Sequence, residues 1–96
     1  MKKFVFLYVG YETPTKEIMD AWTKWFGTIG DKMIDSGNPF GAGREITSAG
    51  TKELSHDKGA ISGYTIINAT SMDEAEKIAK GCPHITGVRV YEAMSM

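Results

Sequence analysis

Near its start the chain carries the apolar run Lys3-Phe4-Val5-Phe6-Leu7-Tyr8-Val9-Gly10, which we interpret as the first strand. A half-exposed strand alternates apolar and polar side chains, because successive side chains point to opposite faces. In this run both faces are apolar: Phe4, Phe6 and Tyr8 alternate with Val5, Leu7 and Val9. Both sides of the sheet therefore have to be covered.

Two segments have the pattern of an amphipathic helix. In the first, Thr13 is a natural N-cap and Pro14 suits the first helical position, so the helix is expected to begin at Pro14 and to end near Gly30 or Lys32. Its apolar stripe has spacings of three and four residues and consists of Ile18, Ala21, Trp22, Trp25, Phe26, Ile29 and Met33. In the second, Ser71 and Glu74 form a capping box, and Gly81 and Pro83 end the helix.

The remaining strands are marked by turn residues around them. Two short strands, Arg44–Thr47 and Thr51–Leu54, flank a turn. A longer strand follows at Ile61–Ala69, and Val88–Met94 closes the chain. The element order βαββαβ is that of a ferredoxin-like α+β fold, with two helices on one face of an antiparallel sheet. Two helices cover one face only, so we expect a second copy of the chain to cover the other, as in a homodimeric α/β barrel.

Size and composition limit the classes of function. The 96 residues are expected to form one domain, residues 1–96. Charged residues make up 24% of the chain, and the net charge is −1 with acids and bases interspersed. This pattern argues against nucleic acid or a membrane as partner. The first apolar run ends at Gly10-Tyr11-Glu12 without a small-residue cleavage site, so we do not interpret it as a signal peptide and expect the cytoplasm. The single cysteine, Cys82, excludes a disulfide framework within one chain.

Several segments, taken in order, resemble the YCII-related (DGPF-domain) proteins of the dimeric α/β-barrel superfamily. They are the first helix, the turn Asp35-Ser36-Gly37-Asn38-Pro39-Phe40, Gly63-Tyr64, Gly81-Cys82-Pro83 and Val88-Arg89-Val90-Tyr91-Glu92. The resemblance spans nearly the whole chain and implies the fold and the dimer. An enzymatic role suggested for part of that family depends on a histidine in the first helix and an aspartate after the third strand. Here the first helix has Ala21-Trp22 near the histidine position and contains no histidine, so the pair is not transferred and the catalytic residues stay unknown.

The candidate ligand-binding residues are aromatic and basic: Phe6, Tyr8, Arg44, Tyr64, Arg89 and Tyr91. If Val5, Leu7 and Val9 meet the helices, then Phe6 and Tyr8 face the barrel interior together with Tyr64, Arg89 and Tyr91. The opposite assignment of faces is open, because both faces are apolar. An aromatic cleft with a few fixed polar groups is typical of small-molecule sites, but the same residues would also suit a dimer interface.

Other chemistry-bearing residues favour structural roles. Cys82 lies at the C-terminal end of the second helix, where the partial negative charge disfavours a thiolate, so we interpret it as a buried, unreactive thiol. Asp31 and Asp35 lack further ligands at metal-binding spacing. We expect no metal site and no bound cofactor.

Two hypotheses of different classes follow. The first is a homodimer that binds a small organic molecule in a cleft between the first helix and the sheet, with or without catalysis. The second is a non-catalytic accessory or regulatory dimer. An open pocket around Arg44 or Arg89 favours the first hypothesis, and closed apolar packing favours the second.

Overall fold

The computed structural model of the protein describes residues 1–95, and Met96 lies outside the described residues. Six strands, two α-helices and one short 3-10 helix follow one another along these residues. In chain order they are β1 (Lys2–Val9), α1 (Lys16–Thr28), the 3-10 helix (Gly30–Lys32), β2 (Met33–Asp35), β3 (Gly43–Thr47), β4 (Gly50–Leu54), β5 (Ile61–Ala69), α2 (Met72–Ala79) and β6 (Gly87–Ala93).

Four strands form an antiparallel sheet in the order β2-β5-β1-β6, so β1 is paired on both sides. Its residue Leu7 stands between Tyr64 of β5 and Arg89 of β6, and Val5 stands between Ile66 and Tyr91. This arrangement confirms the ferredoxin-like α+β fold predicted from the sequence.

The helices cover the face of the sheet that carries the aromatic side chains of β1. Phe4 and Phe6 are fully buried there, and Tyr8 is nearly so. They belong to one core cluster with Trp25 and Ile29 from the α1 side and with Ala75 and Ala79 of α2. Of the two face assignments, the structure therefore has the one in which the aromatic residues of β1 meet the helices. Phe6 and Tyr8 do not face the barrel interior.

The opposite face of the sheet, hereafter the open face, carries Val5 and Leu7 of β1. Both side chains are only half-buried, although β1 is a central strand. The rows that they share with β5 and β6 place Tyr64, Ile66, Arg89 and Tyr91 on the same face. Arg89 and Tyr91 are exposed. The open face is thus apolar at its centre and also carries Lys3, Asn68 and Arg89, and neither helix packs on it.

The first helix begins later and ends earlier than the sequence pattern predicts. Thr15, not Thr13, is the N-cap, and its side-chain oxygen accepts a hydrogen bond from the Ile18 N–H at 3.2 Å. Thr28 is the last helical residue, and the 3-10 helix at Gly30–Lys32 leads directly into β2. Met33, predicted on the helical stripe, is therefore the first residue of a strand.

The two strands predicted at 44–47 and 51–54 do not belong to the main sheet, and they form a separate hairpin. The strand that follows α1 in the main sheet is β2. The hairpin β3–β4 pairs from Gly43 opposite Leu54 to Thr47 opposite Gly50, and it makes its own two-stranded sheet. It is an insertion between β2, an edge strand of the main sheet, and its neighbour β5. We call residues 43–54 the arm.

The second helix matches its predicted start. The Ser71 side chain accepts from the Glu74 N–H at 3.2 Å, which confirms the N-cap. The reciprocal bond of the capping box goes to Thr70 instead of Ser71, because the Glu74 carboxylate accepts from the Thr70 N–H at 3.1 Å. That bond lowers the pKa of Glu74. Within residues 1–95, no helix has the length and apolar character needed to cross a membrane.

Candidate functional site

The turn between β2 and the arm is fastened to β5 through the Asp35 carboxylate. One carboxylate oxygen accepts a hydrogen bond from the Gly37 N–H at 2.9 Å, as in an Asx turn. The other accepts a hydrogen bond from the Tyr64 hydroxyl at 3.2 Å. Asp35 therefore acts as an anchor of the turn, and no metal ligand set forms around it among the described residues.

Two glycines allow the turn to lie against β5. Gly37 has a φ of +77°, and a Cβ at this position would overlap the carbonyl oxygen of Tyr64. A Cβ on Gly63 would lie 3.1 Å from the Asn38 carbonyl oxygen. Pro39 pairs with Gly63 in an isolated antiparallel bridge, and the Phe40 N–H donates to the Ser62 carbonyl at 2.8 Å. The glycines at positions 37 and 63 are thus explained by the close approach of two backbones, that of the turn and that of β5.

Phe40 connects the open face to a surface pocket. Its ring stacks on Tyr64, with ring centroids 5.7 Å apart and planes inclined by 24°. The same residue lines a pocket of about 610 Å³ between the start of the arm and the segment before β5. The pocket is lined by Phe40, Gly41, Ala42, Gly43, Leu54, Ser55, His56, Asp57, Gly59, Ala60 and Ile61. We call it the root pocket, because it lies where the arm joins the main sheet.

Most of the root pocket is apolar, and its polar side chains come from residues 55–57. Asp57 accepts hydrogen bonds from the Ser55 hydroxyl at 2.8 Å and from the Gly59 N–H at 2.9 Å. These bonds, first that from Ser55 and then that from Gly59, lower the pKa of the Asp57 carboxyl. The ring of His56 stacks on that of Tyr11 at 3.7 Å between centroids. His56 therefore contributes an imidazole to the pocket lining. The Asp57 carboxylate instead accepts hydrogen bonds from within its own loop.

Arg44 borders a second, smaller pocket of about 380 Å³, which shares Ala42, Gly43 and Leu54 with the root pocket. Its guanidinium lies 3.9 Å from the Glu53 carboxylate across the hairpin, and both side chains are exposed. An exposed pair of this kind contributes little to stability, about 0–1 kcal/mol. Arg44 therefore remains free to move toward an anionic ligand at little cost.

The six predicted ligand residues are distributed over three places. Tyr64, Arg89 and Tyr91 share the open face, as predicted, while Arg44 lies on the arm. Phe6 and Tyr8 lie in the helix-covered core, where solvent does not reach Phe6. Their predicted grouping with Tyr64, Arg89 and Tyr91 is therefore wrong. The physical reason is that the larger aromatic side chains of β1 fill the deep space under the helices.

The space between α1 and the sheet, where the sequence predicts a cleft, is filled by aromatic rings. Tyr8 contacts Trp22 edge-to-face at 4.7 Å between centroids, and Trp22 and Trp25 are 5.8 Å apart. The Tyr8 hydroxyl donates to Thr65 at 2.6 Å, and the Thr65 hydroxyl donates to the Ser36 carbonyl at 3.0 Å. Burial raises the pKa of Tyr8, while the bond to Thr65 acts in the opposite direction. Tyr8 is a neutral, hydrogen-bonded core residue.

Cys82 and His84 are adjacent to each other, but the thiol is not activated. The Cys82 sulfur lies 3.6 Å from Nδ1 of His84, and Cys82 is 5% exposed. Burial raises the pKa of the thiol to about 11, so the nucleophilic thiolate is scarce at neutral pH. The predicted burial of Cys82 is confirmed.

The sequence did not indicate the root pocket. Its walls come from loop residues between the turn and β5, and small residues such as Gly41 and Ala60 carry no pattern of their own. The one available signal is the glycine-rich segment Gly41-Ala42-Gly43 ahead of Arg44, whose residues line the pocket.

No protein-family model matches the sequence, and no curated protein matches it. Among solved structures, the chain is similar to 5-chloro-2-hydroxyhydroquinone dehydrochlorinase (TftG) from Burkholderia phenoliruptrix AC1100, in its complex with 2,5-dihydroxybenzoquinone. The TM-score is 0.59 at 18% sequence identity, and the match covers 96% of this chain and 93% of that one. A likeness at this level of identity establishes the fold, which is the ferredoxin-like α+β fold described above.

Proposed function

We propose that the protein is a homodimer that binds a small organic molecule in the root pocket. The observation that carries the proposal is the pocket itself, about 610 Å³ in volume and lined mainly by apolar groups. Natural small-molecule sites have volumes of about 300–1,000 Å³ and combine apolar walls with a few polar groups. His56 and the nearby Arg44 would supply those polar groups here.

The proposal divides the predicted ligand residues between two tasks. Arg44, at the smaller pocket, and Tyr64, stacked on Phe40, are proposed to act at the root pocket. Arg89 and Tyr91 lie with Val5 and Leu7 on the open face. A second copy of the chain is proposed to cover that face, because β1 is apolar on both faces and such strands are typical of sheets that are buried on both sides.

The proposed ligand is a small, planar and partly polar molecule. The stacked rings at Phe40 and at His56 provide flat surfaces, and Arg44 provides a cation for an acidic group. The similar fold of TftG was solved with a hydroxylated quinone, which makes 2,5-dihydroxybenzoquinone a sensible first probe. Membership in the YCII-related family and a cytoplasmic location remain part of this proposal, supported by the order of the matching segments and by the lone cysteine.

A non-catalytic accessory or regulatory dimer is the second candidate. It is favoured by the aromatic side chains that fill the space between α1 and the sheet. In addition, α1 carries Ala21 and Trp22 near the position where a catalytic histidine is expected in the resembling family. The two candidates differ in whether any small molecule stabilises the folded protein.

A thermal-shift screen with four proteins tests the proposal. The wild type, Arg44→Ala, Arg89→Ala and the control Lys24→Ala are heated with 2,5-dihydroxybenzoquinone and with mixtures of small aromatic acids. Lys24 is an exposed cation on α1, distant in sequence from both sites. A compound that binds the root pocket raises the melting temperature of the wild type and of Lys24→Ala, and the shift is reduced in Arg44→Ala.

Three results would count against the proposal. A shift that is lost only in Arg89→Ala would move the ligand to the open face and overturn the root pocket as its site. An equal shift in the melting temperature of all four proteins would show that neither Arg44 nor Arg89 contributes to binding. If no compound changes the melting temperature of the wild type, the accessory dimer replaces the binding protein.

A further inference from the structure

The arm, residues 43–54, is the least buried part of the sheet structure. None of its ten strand residues is buried, and only Gly43 is partly covered. Ile46 near its tip is 78% exposed, and Leu54 at its base is 49% exposed. Ile46 therefore offers an apolar side chain to any surface that packs on the arm.

A two-stranded hairpin is only marginally stable by itself in water. Side-chain support within the arm is slight: the Ala49 N–H donates to the Thr47 hydroxyl at 3.2 Å, and the Arg44–Glu53 pair is exposed. The arm is nevertheless fully paired over all five residue pairs. We therefore expect a further surface to pack on the arm and stabilise it, in addition to the pairing of its own two strands.

The exposed surface area and the radius of gyration of the chain are both larger than expected for a compact monomer of its size. The described chain exposes 6734 Å², whereas a compact monomer of 10.5 kDa is expected to expose about 5,400 Å². Its radius of gyration is 14.3 Å, against about 12.5 Å expected for a compact domain of this length. The excess area, about 1,300 Å² by this comparison, exceeds the roughly 800 Å² that each partner buries in a standard interface.

We propose that the arm packs against a second copy of the chain, with Ile46 as its apolar anchor, and that this contact completes the root pocket. Gly43 and Leu54, at the base of the arm, form one wall of that pocket, and the segment 55–61 forms another. A contact that fixes the position of the arm therefore also fixes the position of Gly43 and Leu54 in the pocket wall. The proposal rests on the proposed dimer and root pocket, and it adds the residues through which assembly and the site are coupled.

The partner is a second copy because the arm and the open face of the same chain both carry exposed side chains, such as Ile46 and Tyr91. A homodimer with two-fold symmetry buries the same patches on both subunits, so one interface would account for both exposed surfaces. Opposite charges pair across the arm, Arg44 with Glu53 and Glu45 opposite Lys52. The arm therefore presents no single sign of charge that would repel its own copy.

Sedimentation equilibrium of three proteins tests the role of Ile46. Ile46→Glu places a negative charge on the arm. The matched control is Met19→Glu, which places the same charge on α1, where the Met19 side chain is 60% exposed. The wild type and Met19→Glu are expected to dimerise alike. The dimer dissociation constant of Ile46→Glu is expected to rise at least about tenfold, as for a buried interface anchor.

Amide hydrogen exchange gives a second readout that does not depend on a variant. In the wild type, protection of residues 43–54 is expected to increase with protein concentration, and that of Ala42 and Ser55 at the pocket wall is expected to increase in parallel. β5 residues such as Ile67, in the buried core, serve as the internal reference and should not change.

The outcomes separate this inference from the proposed function. A wild-type dimer that persists unchanged in Ile46→Glu, with arm exchange independent of concentration, would overturn the arm contact and leave the proposed dimer and its ligand intact. A wild type that is monomeric throughout would overturn both. An arm that exchanges rapidly even in the dimer would assign it to a different occupant and likewise overturn the inference.

Discussion

The Tyr64 hydroxyl donates a hydrogen bond to the Asp35 carboxylate over 3.2 Å, and this bond joins the β2 turn to the strand beside it. The same carboxylate orders the turn through the Gly37 N–H, and the turn ends with Phe40 stacked on the Tyr64 ring. A single tyrosine thus connects the open face of the sheet to the wall of the root pocket. The position of the pocket depends on this turn.

Gly37→Ala tests the turn most severely. The left-handed φ of +77° and the overlap of a new Cβ with the Tyr64 carbonyl oxygen are expected to lower the free energy of unfolding by more than about 3 kcal/mol. Gly41→Ala is the matched control, because a Cβ at Gly41 meets no atom within 4 Å. Urea unfolding of both variants measures the difference. Equal stability of the two variants would contradict the described turn.

A double-mutant cycle tests the buried hydrogen bonds of Tyr8 and Thr65. Thr65→Val leaves the Tyr8 hydroxyl without its acceptor and the Ser36 carbonyl without its donor, which is expected to cost about 1–3 kcal/mol. Tyr8→Phe is expected to cost less, because Thr65 can still donate to Ser36. The second substitution should cost less in the background of the first. Strictly additive effects in urea unfolding would show that the two hydroxyls do not interact.

Stability is expected to decrease as the pH rises above 9. The pKa of Cys82 is raised from 9.0 in the unfolded chain to about 11, and burial also raises that of Tyr8. Groups with a raised pKa favour the folded state fully below the unfolded value and lose this contribution as the pH rises toward the folded value. For Cys82 the loss between pH 8 and pH 10 is about 1 kcal/mol.

The control for this pH dependence is Cys82→Ala. Its free energy of unfolding, measured in urea at pH 8 and pH 10, should fall by about 1 kcal/mol less than that of the wild type. An identical fall in both proteins would mean that the Cys82 thiol ionises as readily in the folded chain as in the unfolded one.

Some elements of the fold were predictable because local signals agreed with each other. The strand Ile61–Ala69 has the predicted bounds, with Gly63, Thr65 and Ile67 buried on one face and Tyr64, Ile66 and Asn68 on the other. The start of α2 was marked by Ser71, whose side chain caps the helix. In both cases the pattern depends on residues close together in sequence.

Other features depended on contacts that a sequence pattern does not contain. Met33 fits the spacing of the α1 stripe, yet it begins the three-residue strand β2, because it pairs with Ile67 of β5. The face of β1 was undecided because both faces are apolar, and side-chain size decided it. The arm was correctly predicted as two short strands, but its separation from the main sheet is a matter of tertiary pairing.

The candidate site was less predictable than the fold. Tyr64, Arg89 and Tyr91 were placed together through the alternation of their strands. The root pocket was not foreseen, since its lining comes from segments that carry no periodic pattern, such as residues 40–43 and 55–61. Loops of this kind are positioned by the scaffold, and their shape follows from it.

The central claim is that a second copy of the chain covers the apolar open face of the sheet. Size-exclusion chromatography with light scattering at micromolar concentration measures this directly, because it gives the mass of the particle in solution. The account predicts a mass of about twice the 10.5 kDa of the chain. A single species with the mass of one chain, stable across that concentration range, would contradict it.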